Sequence, residues 1–165
     1  MEQVASFARG LVSLLARLML AAIFLASAIG NKILHFKATA DYMQQEGVPL
    51  PTLALVGAIG LLLLGGLSLV LGAWTRIGAF FLIVFLAAAT YYFHDFWTVA
   101  DPGQRQAQTI QFMKNMAIGG GLLSLVAFGG GPWGVDGWIA SRREEVETGT
   151  SAAKQRVGGK MPQQG

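Results

Sequence analysis

The sequence predicts an all-α fold, an integral membrane antiparallel four-helix bundle, and three observations carry that expectation. Four apolar runs, roughly Gly10–Gly30, Leu53–Ala73, Ile77–Phe93 and Met116–Trp133, fill most of the chain. An α-helix needs about 20 residues, with a range of about 17–25, to cross a hydrocarbon core about 30 Å thick. Charged residues make up only 13% of the chain and hydrophobic ones 53%, whereas a soluble domain carries about 25% charged residues. The runs are continuously apolar instead of alternating, which excludes barrel strands. Backbone amides in lipid must then be satisfied within each helix.

Each element follows in chain order. The first helix, about residues 10–30, is too long for a signal-peptide core and has no convincing cleavage site before Asn31-Lys32, so it reads as retained. The connection from about Asn31 to Thr52 holds a short interfacial helix around Phe36–Met43, broken by Gly47-Val48-Pro49-Leu50-Pro51. The second and third helices, about 53–73 and 77–93, are joined by Gly72-Ala73-Trp74-Thr75-Arg76, which leaves room only for a tight antiparallel hairpin. A connection over about His94–Gln111 carries the turn signal Asp101-Pro102-Gly103. The fourth helix covers about 114–133. Residues 1–138 thus form one transmembrane domain, and 139–165, polar and rich in small residues, read as a disordered cytoplasmic tail.

Small residues mark the faces where helices approach. Gly65, Ser68 and Gly72 share one face of the second helix, and Ala117, Gly121 and Ser124 one face of the fourth. Internal packing is the reading preferred here, with a homo-oligomer seam as the alternative. Leu67-Ser68-Leu69-Val70 recurs as Leu123-Ser124-Leu125-Val126, a weak echo that two related hairpins, or chance, would explain.

Charge placement gives orientation. Arg9, Arg76, Arg142, Arg143, Lys154, Arg156 and Lys160 fall on the side of the two termini, against Lys32, Lys37, Arg105 and Lys114 opposite, which makes seven against four. The positive-inside rule therefore puts both termini in the cytoplasm. The net charge of +3 is spread along the chain beside apolar runs, a topology signal and not a nucleic-acid footprint.

Two cations lie at membrane depth. Arg17 and Lys32 stand about 22 Å apart along a helix, less than the hydrocarbon thickness of about 30 Å. Either both snorkel to opposite surfaces, or at least one is buried with a partner. A buried Arg17 needs carbonyls, hydroxyls such as Ser13, Ser27 or Ser68, or a ligand, because no span contains a carboxylate.

The topology gathers further polar groups at the outer face. Lys32 and His35 close the first helix, Tyr91, Tyr92, His94, Asp95 and Trp97 close the third, and Lys114 and Asn115 open the fourth. An aromatic belt with structural hydrogen bonds explains such a cluster. So does a ligand site, since histidine beside an aspartate exchanges protons near neutral pH and suits the carbonyl oxygens of a quinone headgroup. The absence of cysteine excludes a thiol relay and iron–sulfur ligation by this chain. Two histidines and one nearby aspartate are too few for a zinc site, so no metal and no tightly bound cofactor are expected. A transporter is disfavoured by the lack of a broken-helix pair or an acidic coupling group.

Ordered along residues 12–138, several pieces resemble the DoxX family of small bacterial and archaeal membrane proteins. They are Leu15-Ala16-Arg17-Leu18 with Lys32, Gly47-Val48-Pro49, Gly65-Gly66-Leu67-Ser68-Leu69-Val70-Leu71-Gly72 with Thr75-Arg76, His94 with Trp97, Gln111-Phe112-Met113-Lys114-Asn115, and Gly131-Pro132-Trp133 with Asp136. The resemblance implies a bundle in the cytoplasmic membrane, and in some relatives a subunit of thiosulfate:quinone oxidoreductase. Arg17, Lys32, His94, Lys114 and Asn115 match polar positions of the family pattern. One departure is that Gly60-Leu61-Leu62-Leu63-Leu64 stands where the family often has a glutamate. The expectation is an auxiliary subunit of a quinone-linked redox system, partnered by the bilayer and other membrane or redox subunits. A scaffolding or lipid-binding bundle is the alternative.

Overall fold

The computed structural model describes residues 1–158. It contains α1 (Glu2–Ala26), which runs on without a break into a π-helical segment (Ser27–Ile33), then α2 (Phe36–Gln45), α3 (Pro51–Leu71), α4 (Thr75–Phe93), α5 (Pro102–Phe128) and α6 (Val135–Gly158). Four stretches are long and apolar enough to cross a membrane: Gln3–Ile33, Pro51–Leu71, Thr75–Phe93 and Pro102–Phe128. No strand occurs among the described residues.

Around the bundle the neighbours run α1, α3, α4, α5, with only a narrow contact closing the ring between α5 and α1. The core is made of Ala21, Phe24 and Ala28 from the first span, Leu62 and Leu69 from α3, Ala79, Leu82 and Leu86 from α4, and Leu122 and Leu125 from α5. Large apolar side chains such as Leu15, Met19, Leu64, Leu71 and Phe80 stand exposed around the outside. A soluble monomer rarely leaves such patches open, and here they are the surface offered to lipid.

The α3–α4 hairpin turns in three residues, 72–74. Its helices approach through glycine: a β-carbon on Gly65 would lie 2.9 Å from the Gly78 carbonyl oxygen. The small face of α3 therefore packs internally. On α5, by contrast, Ala117 and Ser124 are exposed, and Gly121 makes only ordinary contact with Leu20.

Two boundaries differ from the sequence expectation. The fourth span starts at Pro102, not near 114, because Asp101-Pro102 caps a helix instead of turning a loop: the Asp101 carboxylate accepts the Gln104 N–H at 2.8 Å, and Pro102 occupies the first helical position. It also ends earlier, at Gly129, whose φ of 79° leaves the helical region. The second difference is α6, where a disordered tail from residue 139 was expected. Its Ala, Arg and Glu content favours helix, and Arg142 and Glu145 pair at i, i+3 across 4.0 Å. Residues 159–165 of that tail lie outside the described residues.

Two ends can now be distinguished. The basal end holds the start of α1, the α3–α4 turn, the end of α5 and the start of α6. The distal end holds the π segment, α2, the start of α3 and the end of α4. There α2 lays Ala40 and Met43, with Val48 behind them, against Leu55 of α3.

Candidate functional site

At the basal end, Arg17 is fully buried, so it does not snorkel. Its guanidinium donates to the Leu69 carbonyl at 3.3 Å and to the Trp133 carbonyl. Both acceptors are backbone groups left over where α3 ends and where the chain turns after α5, so one cation closes two frayed ends. The surrounding chain is glycine: a β-carbon on Gly134 would stand 2.8 Å from Arg17 Nη1 and 2.9 Å from Gly72 Cα. Ser13 supplies a parallel tie, donating to the Gly130 carbonyl at 2.5 Å.

Asp136 completes this node. Its Oδ1 and Oδ2 accept the N–H groups of Trp74 and Thr75 at 2.8 and 2.9 Å, and its own N–H donates to Gly72 O at 2.8 Å. Trp74 has φ 49°, a left-handed conformation costly for so bulky a residue, and the carboxylate holds it there. Burial pushes the Asp136 carboxyl up, but the N–H groups of Thr75 and Trp74, with Arg17 nearby, outweigh it and hold the group below the usual carboxylate range. Within this node the two terminal nitrogens of Arg17 and both carboxylate oxygens of Asp136 are bonded to backbone, while Arg17 Nε and Thr75 Oγ1 are buried without a partner.

At the distal end, a cavity of about 500 Å³ opens inside the bundle. Its walls are mainly apolar, including Ile23, Phe24, Phe85, Leu86 and Ile118. Of the residues singled out from sequence, Lys32, Tyr92, His94 and Asn115 line it. Lys32 Nζ donates to Ser27 Oγ at 2.7 Å and lies 5.2 Å from the centre of the Phe85 ring. Asn115 donates to Thr90 Oγ1 at 2.8 Å, and the Thr90 hydroxyl donates to the Leu86 carbonyl at 2.7 Å. His94 Nδ1 lies 2.9 Å from Gln108 Oε1, an acceptor, so Nδ1 carries the proton and Nε2 is left for other bonds.

The other sequence candidates stand apart from the cavity walls. His35, Tyr91, Trp97 and Lys114 are exposed. Trp97 belongs to an edge-to-face cluster with Phe96 and Phe112, as an aromatic belt requires. Asp95 accepts the Thr98 hydroxyl at 2.7 Å and does not meet His94. Among the described residues no group of three or more His, Asp or Glu side chains is gathered as for a metal ion.

Four contributors were not anticipated: Ser27 and Thr39, and the aromatics Tyr42 and Phe85. Tyr42 had a signal, because Phe36, Ala40 and Met43 give α2 an apolar side that must fold back onto the bundle, carrying its neighbours along. Its ring stacks on Phe93 at 5.4 Å, and burial, with Glu46 and Asp95 near, pushes its phenol up and keeps it protonated. Ser27 had none, since only a π turn sets it beside Lys32.

Residues 12–95 match the family described as DoxX. The chain is similar to inner membrane protein YqjF of Escherichia coli K12, 33% identical over 123 residues that cover 74% of this chain and 88% of that one. It is also similar to inner membrane protein YphA of the same organism, 30% identical over 129 residues, covering 78% and 91%. No solved structure matches.

Proposed function

The chain belongs to the DoxX family of membrane proteins, and from that premise we propose that it is an auxiliary subunit of a quinone-linked redox system which holds a quinone headgroup at its distal end. The observation that carries this reading is the cavity of about 500 Å³ lined by Lys32, Tyr92, His94 and Asn115 among apolar walls. Small-molecule sites are commonly about 300–1,000 Å³, largely apolar, with a few convergent polar groups. Those groups fit a quinone: Lys32 and Asn115 donate hydrogen bonds to ring carbonyls, while Phe85 and Tyr92 offer flat surfaces to the ring. The quinone, when bound, supplies the electron and proton acceptor. The protein's part is to bind and orient it, with electrons coming from a partner subunit. In this reading the termini lie in the cytoplasm and the cavity in the outer leaflet, following the excess of Lys and Arg on the basal side.

The alternative is a scaffolding or lipid-binding bundle without a redox role. It draws on α5, where Ala117 and Ser124 face outward on a surface that another helix could cover.

The test is the quinone content, per mole, of protein purified in mild detergent, for wild type and a His94→Ala/Asn115→Leu double variant. Near-stoichiometric quinone in the wild type, lost from a variant that remains monodisperse, is the expected result. Quinone in neither sample moves the assignment to the scaffold.

A further inference from the structure

Lys32 is the only lysine, arginine or carboxylate residue lining the cavity among the described ones. An ammonium has three N–H donors. One goes to Ser27 Oγ, and the Phe85 ring face takes up part of the remaining charge. The ion pair among the described residues, Arg142 with Glu145, lies on α6. Inside a membrane a cation without a carboxylate is expensive to keep and marks function by default.

The backbone is shaped to put it there. In an α-helix, residues five apart point about 140° away from each other, at 100° per residue. In a π turn the i and i+5 residues are the bonded pair and share a face. Ser27 and Lys32 are such a pair, and they bound most of the π segment Ser27–Ile33. π segments are rare and occur mainly at functional sites. This one turns Lys32 onto the face of Ser27, toward the cavity they both line.

We propose that the cavity takes an amphiphile that presents a single anionic oxygen to Lys32, with its apolar body against Phe24, Phe85 and Leu86. The proposal rests on the reading of the cavity as a ligand site and narrows the chemistry of what enters. Two sources share that chemistry: a quinone with an ionised ring hydroxyl, and a single-chain carboxylate. A neutral quinone offers the ammonium only a carbonyl dipole, whereas an anionic oxygen makes a charge-assisted bond in a low-dielectric site.

Calorimetric titration of the full-length protein in neutral maltoside detergent tests this with three probes. They are an alkyl hydroxynaphthoquinone, its methyl counterpart with the same tail, and a long-chain fatty acid. The proteins are wild type, Lys32→Met, Lys32→Arg and Ser27→Ala. In the wild type at least one anionic probe binds tighter than the methyl quinone by about tenfold or more. Lys32→Met loses that preference, while Lys32→Arg and Ser27→Ala retain it.

Equal affinity of the wild type for acidic and neutral quinones, with the fatty acid bound no tighter than either, overturns the anionic assignment and leaves the quinone site standing. Binding of the fatty acid alone upholds the assignment and overturns the quinone reading. Binding of no probe overturns both. A preference that survives in Lys32→Met, or that disappears equally in Ser27→Ala, overturns the role given to Lys32. The wild-type comparison of the two quinones requires no variant to fold.

Discussion

Arg17 and Lys32 lie on one continuous helical span, Arg17 at its middle and Lys32 at its distal end, and the protein treats them oppositely. Around Arg17 the chain closes in, with two backbone carbonyls accepting from Nη1 and Nη2, Nε buried without a partner, and glycines cut back to admit the guanidinium. Around Lys32 the chain stands off, leaving one hydroxyl, one ring face and about 500 Å³ of space. A buried cation whose terminal nitrogens bond to backbone in a filled site is part of the frame. A half-buried cation beside empty volume is available for something else. The pair shows why charge at membrane depth is not by itself evidence of a ligand: the space around the charge decides.

The contrast can be broken most forcefully at Arg17. Arg17→Met strands the Leu69 and Trp133 carbonyls in an apolar interior, and removing one partner of a buried charged contact costs about 3–5 kcal/mol. The expected result is loss of monodisperse protein or a large fall in melting temperature in detergent. Lys32→Met, which leaves no carbonyl behind, should melt close to wild type; an equal fall in both would erase the distinction.

Glycine gives the next test. Gly134→Val pushes a side chain against Arg17 and the Gly72 backbone, for an expected loss of about 2–3 kcal/mol by thermal melting. Gly57 in α3 is the counterpart, because a β-carbon there would meet nothing within 4 Å. Gly57→Ala is therefore expected to raise stability by about 0.5–1 kcal/mol, through the helix propensity of alanine.

Asp136→Asn should fall between these two in size, at about 1–2 kcal/mol, because it weakens the acceptor of two N–H groups at the start of α4. Its sign with pH is fixed. The folded carboxyl titrates below its unfolded value of about 3.9, so its contribution is complete above that value and disappears as pH falls through the folded one. Melting curves of the wild type should drop below about pH 4 by more than those of Asp136→Asn. The smallest effect belongs to Lys114→Ala. This side chain is exposed and lines no cavity, so stability should stay within about 0.5 kcal/mol and quinone content should not change.

The bundle was legible because lipid leaves few alternatives: continuous apolar runs must be helices, and a link as short as Gly72-Ala73-Trp74 must be a hairpin. The basal node was half legible. Arg17 stood out as a charge needing carbonyls, but its acceptor on Trp133 required a helix that stops at Gly129, and the apolar run continues past that point. Asp136 lay outside every span and gave no sign of folding back on Trp74. The distal site was legible as an edge of the membrane, not as a set of side chains. Topology collected nine residues there, and the volume selects Lys32, Tyr92, His94 and Asn115 from them. What separates Asn115 from Lys114 is one step of helical rotation, and what brings Ser27 to Lys32 is a local change of helical pitch. Neither is written in composition.

The acceptors of Arg17 also order events in time. They lie 52 and 116 positions further along the chain, and the tie from Ser13 reaches 117 positions on. A ribosome delivers the first helix to the bilayer long before it makes the loop at Trp133, so the guanidinium enters with its bonds unmade. Until the last span is in place the nascent protein carries in its first segment a charge answered at most by the Leu69 carbonyl of α3. Chains cut short before Trp133 keep that defect permanently, which sets them apart from finished molecules for any protease that surveys the membrane.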